Sequence, residues 1–422
     1  MSVMRCVPLL AAISLVSACG DGGSPAPLPA AAPTPTMAAT PSPSVPPEPV
    51  NQTSVDGVRP VESGDTPPPQ ATVPVAPAVP AVAGDDYILD SVDWLEPVVQ
   101  QTGDPDFALT TARAVQIRAL VRTAGADKPA PKVRINITNA AGALVGTGLM
   151  TGPVTVKASV SRASITDNYV FPLKAIWVKP GLKVSIVVNP DGLASDPTPA
   201  NNSADLAPAV NPETVMYVTA VPVTTATEGT ALLPRSGNGQ AATRAAIRAT
   251  LMAMYPLSDV KVRLHAPYTL TGATTMRGNW GLMLGEVNKL RIAEGNHGHY
   301  IGFIPHSPLG STTTGNSFMP GTVATAMGAA NPTAWRSGNV QHELGHNFGL
   351  GHVACAPIGA AGEYGYDAEQ NVIVPLAERN NVMSYCGPSW ISKTYYTATQ
   401  RKFALSGLDK PDGLTIPLSE WK

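Results

Sequence analysis

The sequence predicts a mixed α/β (α+β) domain at its C-terminal end, preceded by an all-β sandwich domain and a disordered proline-rich tether. Three observations predict this order. Residues 21–83 contain 17 of the 43 prolines of the chain. Residues from about 85 to 212 alternate apolar and polar side chains in short runs separated by turn signals, and beyond 213 strand patterns alternate with helical ones. The expected parts are 1–18, 19–83, 84–212 and 213–422.

Residues 1–18 predict an export signal that is removed from the mature chain. Arg5 is positively charged, an apolar run extends to about Val16, and the small residues Ser17 and Ala18 precede Cys19. The run is too short to cross a bilayer comfortably. Its end resembles the lipobox of bacterial lipoproteins, which implies a lipid on Cys19; the alternative is an ordinary secretory signal with an incidental cysteine. We expect an exported protein, anchored by lipid at the outer membrane or surface of a bacterial cell or released from it.

Residues 19–83 are predicted to form an extended, semi-rigid tether. Runs such as SPAPLPAAAPTPT contain almost no large apolar side chains, so the segment cannot bury enough surface to fold. A lipid at one end would hold the folded part away from a membrane surface. The formal net charge of −2 and the scarcity of basic clusters argue against a nucleic-acid partner.

Residues 84–212 are predicted to form an antiparallel β-sandwich. The runs AVQIRALVRT, KVRINITN, NYVFPLKAIWV and LKVSIVVNPDG have strand character, and no convincing helix lies between them. The closing stretch NPDGLASDPTPANNSADL resembles the last hairpin of immunoglobulin-like adhesion modules of bacterial surface proteins. We expect this domain to position its neighbour by packing or as a spacer; the alternative is a substrate- or glycan-binding role.

Residues 213–422 are predicted to form the mixed α/β domain. TVMYVTAVPV, DVKVRLHAPY and HYIGFIP have strand patterns. Between them lie a helical stretch with Asn238 as its cap and another with a glycine stop at Gly295. A Gly/Ser/Thr-rich stretch then leads to one long helix that carries the sequence HELGHNFGLGH.

Three histidines of HELGHNFGLGH are spaced to bind one metal ion. His342 and His346 are four residues apart, so on a helix both rings project from one face, with Glu343 beside them. Gly349 can take a positive φ and end the helix, which would bring His352 round as a third ligand. Imidazole nitrogens are common zinc ligands. The alternative is a structural helix rich in histidine.

HELGHNFGLGH matches the HExxHxxGxxH signature of the metzincin zinc endopeptidases at every fixed position, and the chain resembles that family. The resemblance implies a metzincin-type catalytic domain with one catalytic Zn²⁺ on His342, His346 and His352, and Glu343 as general base. A degenerate site without activity is the alternative. The residue after the third histidine is Val353, where better-known subgroups carry Asp, Glu, Ser or Pro, so no subfamily is assigned.

A second segment, NNVMSYC, resembles the methionine-containing turn that lies beneath the zinc of metzincins. The resemblance implies that Met383 packs under the histidines. Tyr385 follows at the spacing of a tyrosine that stabilises the transition state in astacin- and serralysin-like metzincins; a tyrosine that packs or contacts substrate is the alternative. The stretch MSYCGPSWISKTYYTATQRKFA, with EYGYD upstream, resembles bacterial exported metzincins that include mucin-degrading enzymes.

Two cysteines remain for a disulfide in the exported chain. Signal cleavage removes Cys6 and lipid would occupy Cys19, which leaves Cys355 and Cys386. One disulfide between them is expected, because exported proteins are oxidised; two free thiols are the alternative.

Two other groups of residues are weaker candidates for metal binding. His297 and His299 would share a face if both lay on one strand, but a polar loop or strand entry is preferred to a second metal site. Glu363, Asp367 and Glu369 match no known calcium loop, so a solvated loop is expected there.

The function expected from these residues is zinc-dependent hydrolysis of peptide bonds in extracellular proteins or glycoproteins, with Glu343 activating the attacking water. A monomer is expected. The alternative is a surface binding or adhesion lipoprotein in which the zinc domain is structural or inactive. An intact Glu343 and an open, three-ligand metal site favour the enzyme, because structural zinc is normally closed by four protein ligands.

Overall fold

A computed structural model describes residues 86–272, 275, 279–306, 314–329, 338–411 and 415–422. All described residues belong to one compact unit of the chain. The predicted signal peptide, Cys19 and the tether lie outside the described residues. Within the described part, no helix has the length and apolar character needed to span a membrane.

Residues 86–212, all of which are described, contain twelve strands and no α-helix. Two four-stranded antiparallel sheets, with strand orders β2-β1-β4-β9 and β11-β10-β6-β7, form a β-sandwich. The strands are β1 (Tyr87–Leu95), β2 (Val99–Gln100), β3 (Leu109–Thr110), β4 (Val115–Thr123), β5 (Lys128–Pro129), β6 (Val133–Thr138), β7 (Leu144–Leu149), β8 (Thr155–Val156), β9 (Tyr169–Leu173), β10 (Lys183–Val188), β11 (Ser203–Leu206) and β12 (Val210–Asn211).

The core of the sandwich follows from the period-two pattern of its strands. Side chains of β6 and β10 alternate between buried and more exposed positions, as the sequence predicts. Ile117 of β4, Ile135 of β6 and Ile186 of β10 all belong to the same buried hydrophobic cluster, so both sheets contribute to one core. The expected all-β sandwich is confirmed.

The second half of the chain contains eleven strands and four α-helices in its described residues. The strands are β13 (Val215–Thr225), β14 (Gly229–Thr230), β15 (Asp259–Leu264), β16 (Tyr268–Thr269), β17 (His299–Ile304), β18 (Gly315–Ser317), β19 (Val323–Met327), β20 (Tyr364–Asp367), β21 (Val372–Pro375), β22 (Asn380–Asn381) and β23 (Ser389–Trp390). The helices are α1 (Gly239–Met252), α2 (Trp280–Ala293), α3 (Gly338–Asn347) and α4 (Lys393–Ser406).

The main sheet of this half is parallel except at its ends. Strands β15, β13, β17 and β19 are neighbours and parallel, whereas β18 pairs antiparallel with β19. The predicted strands β13, β15 and β17 and the predicted helices α1 and α2 are confirmed. No strand was predicted in the Gly/Ser/Thr-rich stretch, but it contains β18 and the start of β19, whose first four residues are buried.

Helices cover both faces of this sheet. Ile301 and Phe303 of β17 face the cluster that holds α1 and α3, whereas Tyr300 and Ile304 face the cluster that holds α2. Alternate residues of one strand therefore supply two cores. Helix α3, which carries His342 and His346, lies on the same face as α1.

A half-buried carboxylate fixes the end of α2 to the sheet. Glu294 accepts hydrogen bonds from Tyr300 (2.7 Å), from His265 (3.2 Å) and from Arg263 of β15. Burial alone would raise the pKa of Glu294, but these hydrogen bonds and the charge of Arg263 outweigh it and lower the pKa to about 2.

This carboxylate should make stability depend on pH in acid. Because its pKa is lower in the folded chain than the ordinary 4.5, Glu294 stabilises the fold above about pH 4.5, and that contribution is lost as pH falls toward 2. Urea unfolding of chelator-treated protein at pH 6 and pH 3 should show a smaller decrease in unfolding free energy for Glu294→Gln than for wild type. An equal decrease in both proteins would contradict the assignment.

Candidate metal centre

The motif helix ends where the sequence predicts, in a turn centred on Gly349. The backbone N–H of Gly349 donates to the carbonyl of His346 (2.7 Å), and the N–H of Leu350 donates to the carbonyl of Gly345 (2.9 Å). This pair of bonds is a Schellman motif, which requires a residue with positive φ, and Gly349 has a φ of +82°. The chain therefore reverses immediately after α3.

That reversal brings three histidine rings to one point. His352 Nε2 lies 3.0 Å from His342 Nε2 and 2.9 Å from His346 Nε2. A tetrahedral ion with bonds of about 2.0–2.1 Å would separate its nitrogen ligands by about 3.3 Å, which these positions reach with shifts of a few tenths of an ångström. Among the described residues, these three form the one group of histidine, cysteine or acidic side chains placed to hold a metal.

Backbone carbonyls orient two of the rings. Nδ1 of His342 lies 2.8 Å from the carbonyl of Val382, and Nδ1 of His346 lies 2.8 Å from the carbonyl of Leu350. A carbonyl only accepts, so each Nδ1 carries the proton and each Nε2 presents a lone pair. Two lone pairs directed at one point repel each other unless a cation lies between them.

The neutral protonation state of the His342 and His346 rings also favours metal binding. Burial lowers the pKa of His342 to about 4 and lowers the pKa of His346 as well, in both cases because the charged ring is desolvated. Both rings are therefore neutral near pH 7, the state in which imidazole binds a metal.

Met383 lies beneath the helix, as the resemblance implies. It is fully buried, and its sulfur lies so close to Gly345 of α3 that a β-carbon there would overlap it. The Met383 carbonyl accepts a hydrogen bond from the N–H of Val353 (3.2 Å), next to His352. The methionine turn thus contacts both the helix and the segment that carries the third histidine.

A disulfide joins the same two segments. Cys355 and Cys386 are bonded, with Cα atoms 5.6 Å apart and a sequence separation of 31. The chain-entropy model gives a loop of this length a stabilisation of about 3–4 kcal/mol. The bond therefore limits movement of His352 relative to the methionine turn.

Glu343 is held in a buried position beside the sheet edge. It is 7 % exposed, and desolvation raises its pKa to about 7. Ser317 of the edge strand β18 donates a hydrogen bond to Glu343 Oε2 (2.8 Å), and the carboxylate packs over the backbone of Gly315. The sequence analysis did not identify Ser317, because its contact with Glu343 joins residues 26 positions apart.

Tyr385 lies at the open side of the histidine cluster. Its ring stacks on His342 with centroids 5.7 Å apart, and its hydroxyl lies 3.1 Å from His352 Nε2. The side chain is 80 % exposed, so it borders the point where the rings converge without being enclosed there.

The structure places the weaker candidates at the start of β17 and around β20. His299 begins β17 and is buried, whereas His297 lies before the strand, separated from it by Gly298 with a φ of +65°. The two rings therefore do not share a strand face. Asp367 ends β20 and is buried, so the expectation of a solvated loop is wrong at this residue. Its carboxylate accepts hydrogen bonds from two backbone N–H groups of the following turn, at 3.0 and 3.1 Å.

No protein-family model and no curated protein sequence matches the chain. One similar solved structure is the crystal structure of the CARDB domain of a Pyrococcus furiosus protein in complex with di-metal ions, at 12 % identity, covering 31 % of this chain and 97 % of that chain with a TM-score of 0.19. A solution structure of the same domain is 16 % identical, covers 30 % of this chain and 97 % of that one, and gives a TM-score of 0.20.

The conformation of Gly349 should control metal binding. Gly349→Ala forces a β-carbon into the left-handed region, which costs about 1–2 kcal/mol or opens the turn that brings His352 to the other rings. We expect weaker zinc binding by competition with a chromophoric chelator.

Gly351→Ala is the matched control, because Gly351 lies in the same loop with open space at its β-carbon position and no positive φ. Equal zinc affinity in the two variants would contradict the role given to Gly349.

Proposed function

We propose that the chain is a zinc-dependent endopeptidase of the metzincin type, anchored by lipid at a bacterial cell envelope and acting as a monomer on extracellular proteins or glycoproteins. One observation carries the proposal. The Nε2 atoms of His342, His346 and His352 meet at one point. The buried Glu343 directly follows His342 on helix α3, and Gly349 sets the end of that helix.

The donor set fits zinc. Three imidazole nitrogens suit Zn²⁺, and within the described residues no fourth histidine, cysteine or acidic side chain joins the cluster. Three protein ligands and an open position are typical of catalytic zinc. When bound, the ion would supply Lewis acidity, which lowers the pKa of water and polarises a carbonyl group.

Glu343 supplies the proton transfers. Its carboxylate accepts a proton from the attacking water and later delivers that proton to the nitrogen of the leaving amine. A group that must both take and give a proton works best with a pKa near the working pH, and burial raises the pKa of Glu343 to about 7. Ser317 holds the carboxylate in place through Oε2.

The edge of the sheet offers a place for an extended peptide. In the described part of the chain, β18 pairs with β19 on one side only, which leaves its other backbone edge open. An extended substrate could add to this edge as a further strand, held by main-chain hydrogen bonds. Because Gly315 and Ser317 of β18 contact Glu343, such a peptide would lie beside the general base.

Tyr385 would assist the reaction from the open side. Its hydroxyl can donate a hydrogen bond to the carbonyl oxygen as negative charge develops there. The contact of 3.1 Å with His352 Nε2 places the hydroxyl beside the ligand cluster before substrate binds. A binding or adhesion protein would have no need of this arrangement around Glu343.

Replacing the general base should separate metal binding from activity. Glu343→Gln keeps the shape of the side chain and should retain zinc, but lowers cleavage of an unfolded protein or a mucin-like glycoprotein by on the order of 10²- to 10⁴-fold. The control is Glu378→Gln, an exposed glutamate remote in sequence from the motif. Chelator-resistant cleavage, or full activity of Glu343→Gln, would overturn the proposed function.

The hydroxyl of Tyr385 should contribute more to kcat than its aromatic ring does. Tyr385→Phe preserves stacking on His342 and should leave zinc content unchanged, while kcat falls by on the order of 100-fold because one oxyanion donor is lost. Steady-state kinetics on a fluorogenic peptide measure this. An unchanged kcat with a raised KM would instead assign Tyr385 to substrate contact.

A further inference from the structure

We propose that the β-sandwich positions the zinc ligand His342, so that the sandwich and the histidine-bearing half form one catalytic unit. The inference rests on the proposed function, because it concerns how the zinc ligands are held. Val98 of the sandwich region is buried in the same hydrophobic cluster as Val340 and Leu344 of α3 and as Met383. The two halves therefore share part of a core.

The first connection runs from the sandwich to the carbonyl that orients His342. The indole N–H of Trp390 donates to the carbonyl of Pro97 at 2.7 Å. The carbonyl of Trp390 accepts from the N–H of Val382 at 2.8 Å. The Val382 carbonyl then accepts from His342 Nδ1 at 2.8 Å. Three successive hydrogen bonds thus join Pro97 to a metal ligand.

The second connection runs from Arg113 of the sandwich to the backbone carbonyl of Gln341, the residue before His342. Arg113 is 7 % exposed and donates to the carbonyl of Tyr255 at 2.7 Å, just after the end of α1. The hydroxyl of Tyr255, which is fully buried, donates to the carbonyl of Gln341 in α3. Gln341 directly precedes His342, so Arg113 fixes the helix at the position of the ligand.

Glu96 ties the two connections together inside the sandwich. It is 4 % exposed and lies next to Pro97 in sequence. Its carboxylate is 3.8 Å from Arg113 Nε and accepts a hydrogen bond from Tyr396 of α4 at 3.1 Å. One buried carboxylate therefore holds both the strand end that contacts Trp390 and the arginine that contacts Tyr255.

These contacts would act on the metal through ring orientation. The bond from His342 Nδ1 to a fixed carbonyl sets which nitrogen is free and where it points. Loss of such outer contacts lowers metal affinity by about 10- to 100-fold in metalloproteins. Glu96, Pro97 and Arg113 are thus positioning residues, although none of them touches the metal ligands directly.

The test measures zinc release from the full chain into excess chelator, with the visible spectrum of the cobalt-substituted protein as a second readout. Glu96→Gln should release zinc about tenfold faster and alter the cobalt spectrum. Asp93→Asn is the matched control, because Asp93 is a fully buried carboxylate of β1, three residues before Glu96. It pairs with Arg118 at 2.7 Å inside the sandwich. Asp93→Asn should lower stability without changing zinc release.

A second pair of variants, each of which removes only one hydrogen bond, tests the inference if Glu96→Gln does not fold. Trp390→Phe removes the hydrogen bond to the Pro97 carbonyl and should also speed zinc release. Tyr169→Phe removes a buried hydrogen bond of 2.6 Å to the Pro131 carbonyl, within the sandwich, and should not. This control separates the loss of one buried hydrogen bond from an effect on the metal.

Two results overturn the inference, and they differ from each other. If wild type binds zinc and cleaves protein, but Glu96→Gln and Trp390→Phe release zinc no faster than their controls, the sandwich does not position His342 and the proposed function stands. If wild type binds no zinc and cleaves nothing, the proposed function fails and the inference fails with it.

Discussion

The candidate metal centre depends on the place where one helix ends. A continued helix would carry His352 away from His342 and His346, whereas the turn at Gly349 brings its Nε2 within 3.0 Å of both. The same turn presents the Leu350 carbonyl to His346 Nδ1, so helix termination also sets the ring's tautomer. One backbone conformation thus decides both the position of His352 and the orientation of the His346 ring.

Contacts from other parts of the chain hold the segments around the histidines, because the ten-residue helix α3 alone could not fix them. Met383 supports α3 from below, and the Cys355–Cys386 disulfide ties the methionine turn to the segment after His352. Ser317 brings the sheet edge to Glu343. Each contact joins a different part of the chain to the segments that carry the three histidines and Glu343, and the side bordered by Tyr385 stays exposed.

The features that were predicted from the sequence are those that depend on residues close together in the chain. Periodicity predicted the strands β13, β15 and β17 and the helices α1 and α2, and the spacing of His342, Gly349 and His352 predicted their convergence. Ser317, Trp390 and Glu96 were not predicted, because their partners are chosen by tertiary packing: Trp390 and Pro97, for example, are 293 residues apart in sequence. Helix α4 was also missed, since its buried positions are largely polar: Thr397, Thr399 and Gln400.

The central claim is an open zinc site held by three imidazoles, and zinc-edge X-ray absorption of the purified full chain tests it most directly. The account predicts one zinc per chain with a first shell of three imidazole nitrogens and one further light-atom ligand that changes when a hydroxamate is added, all at about 2.0–2.2 Å. A shell containing sulfur, or four protein ligands unaffected by the hydroxamate, would contradict it.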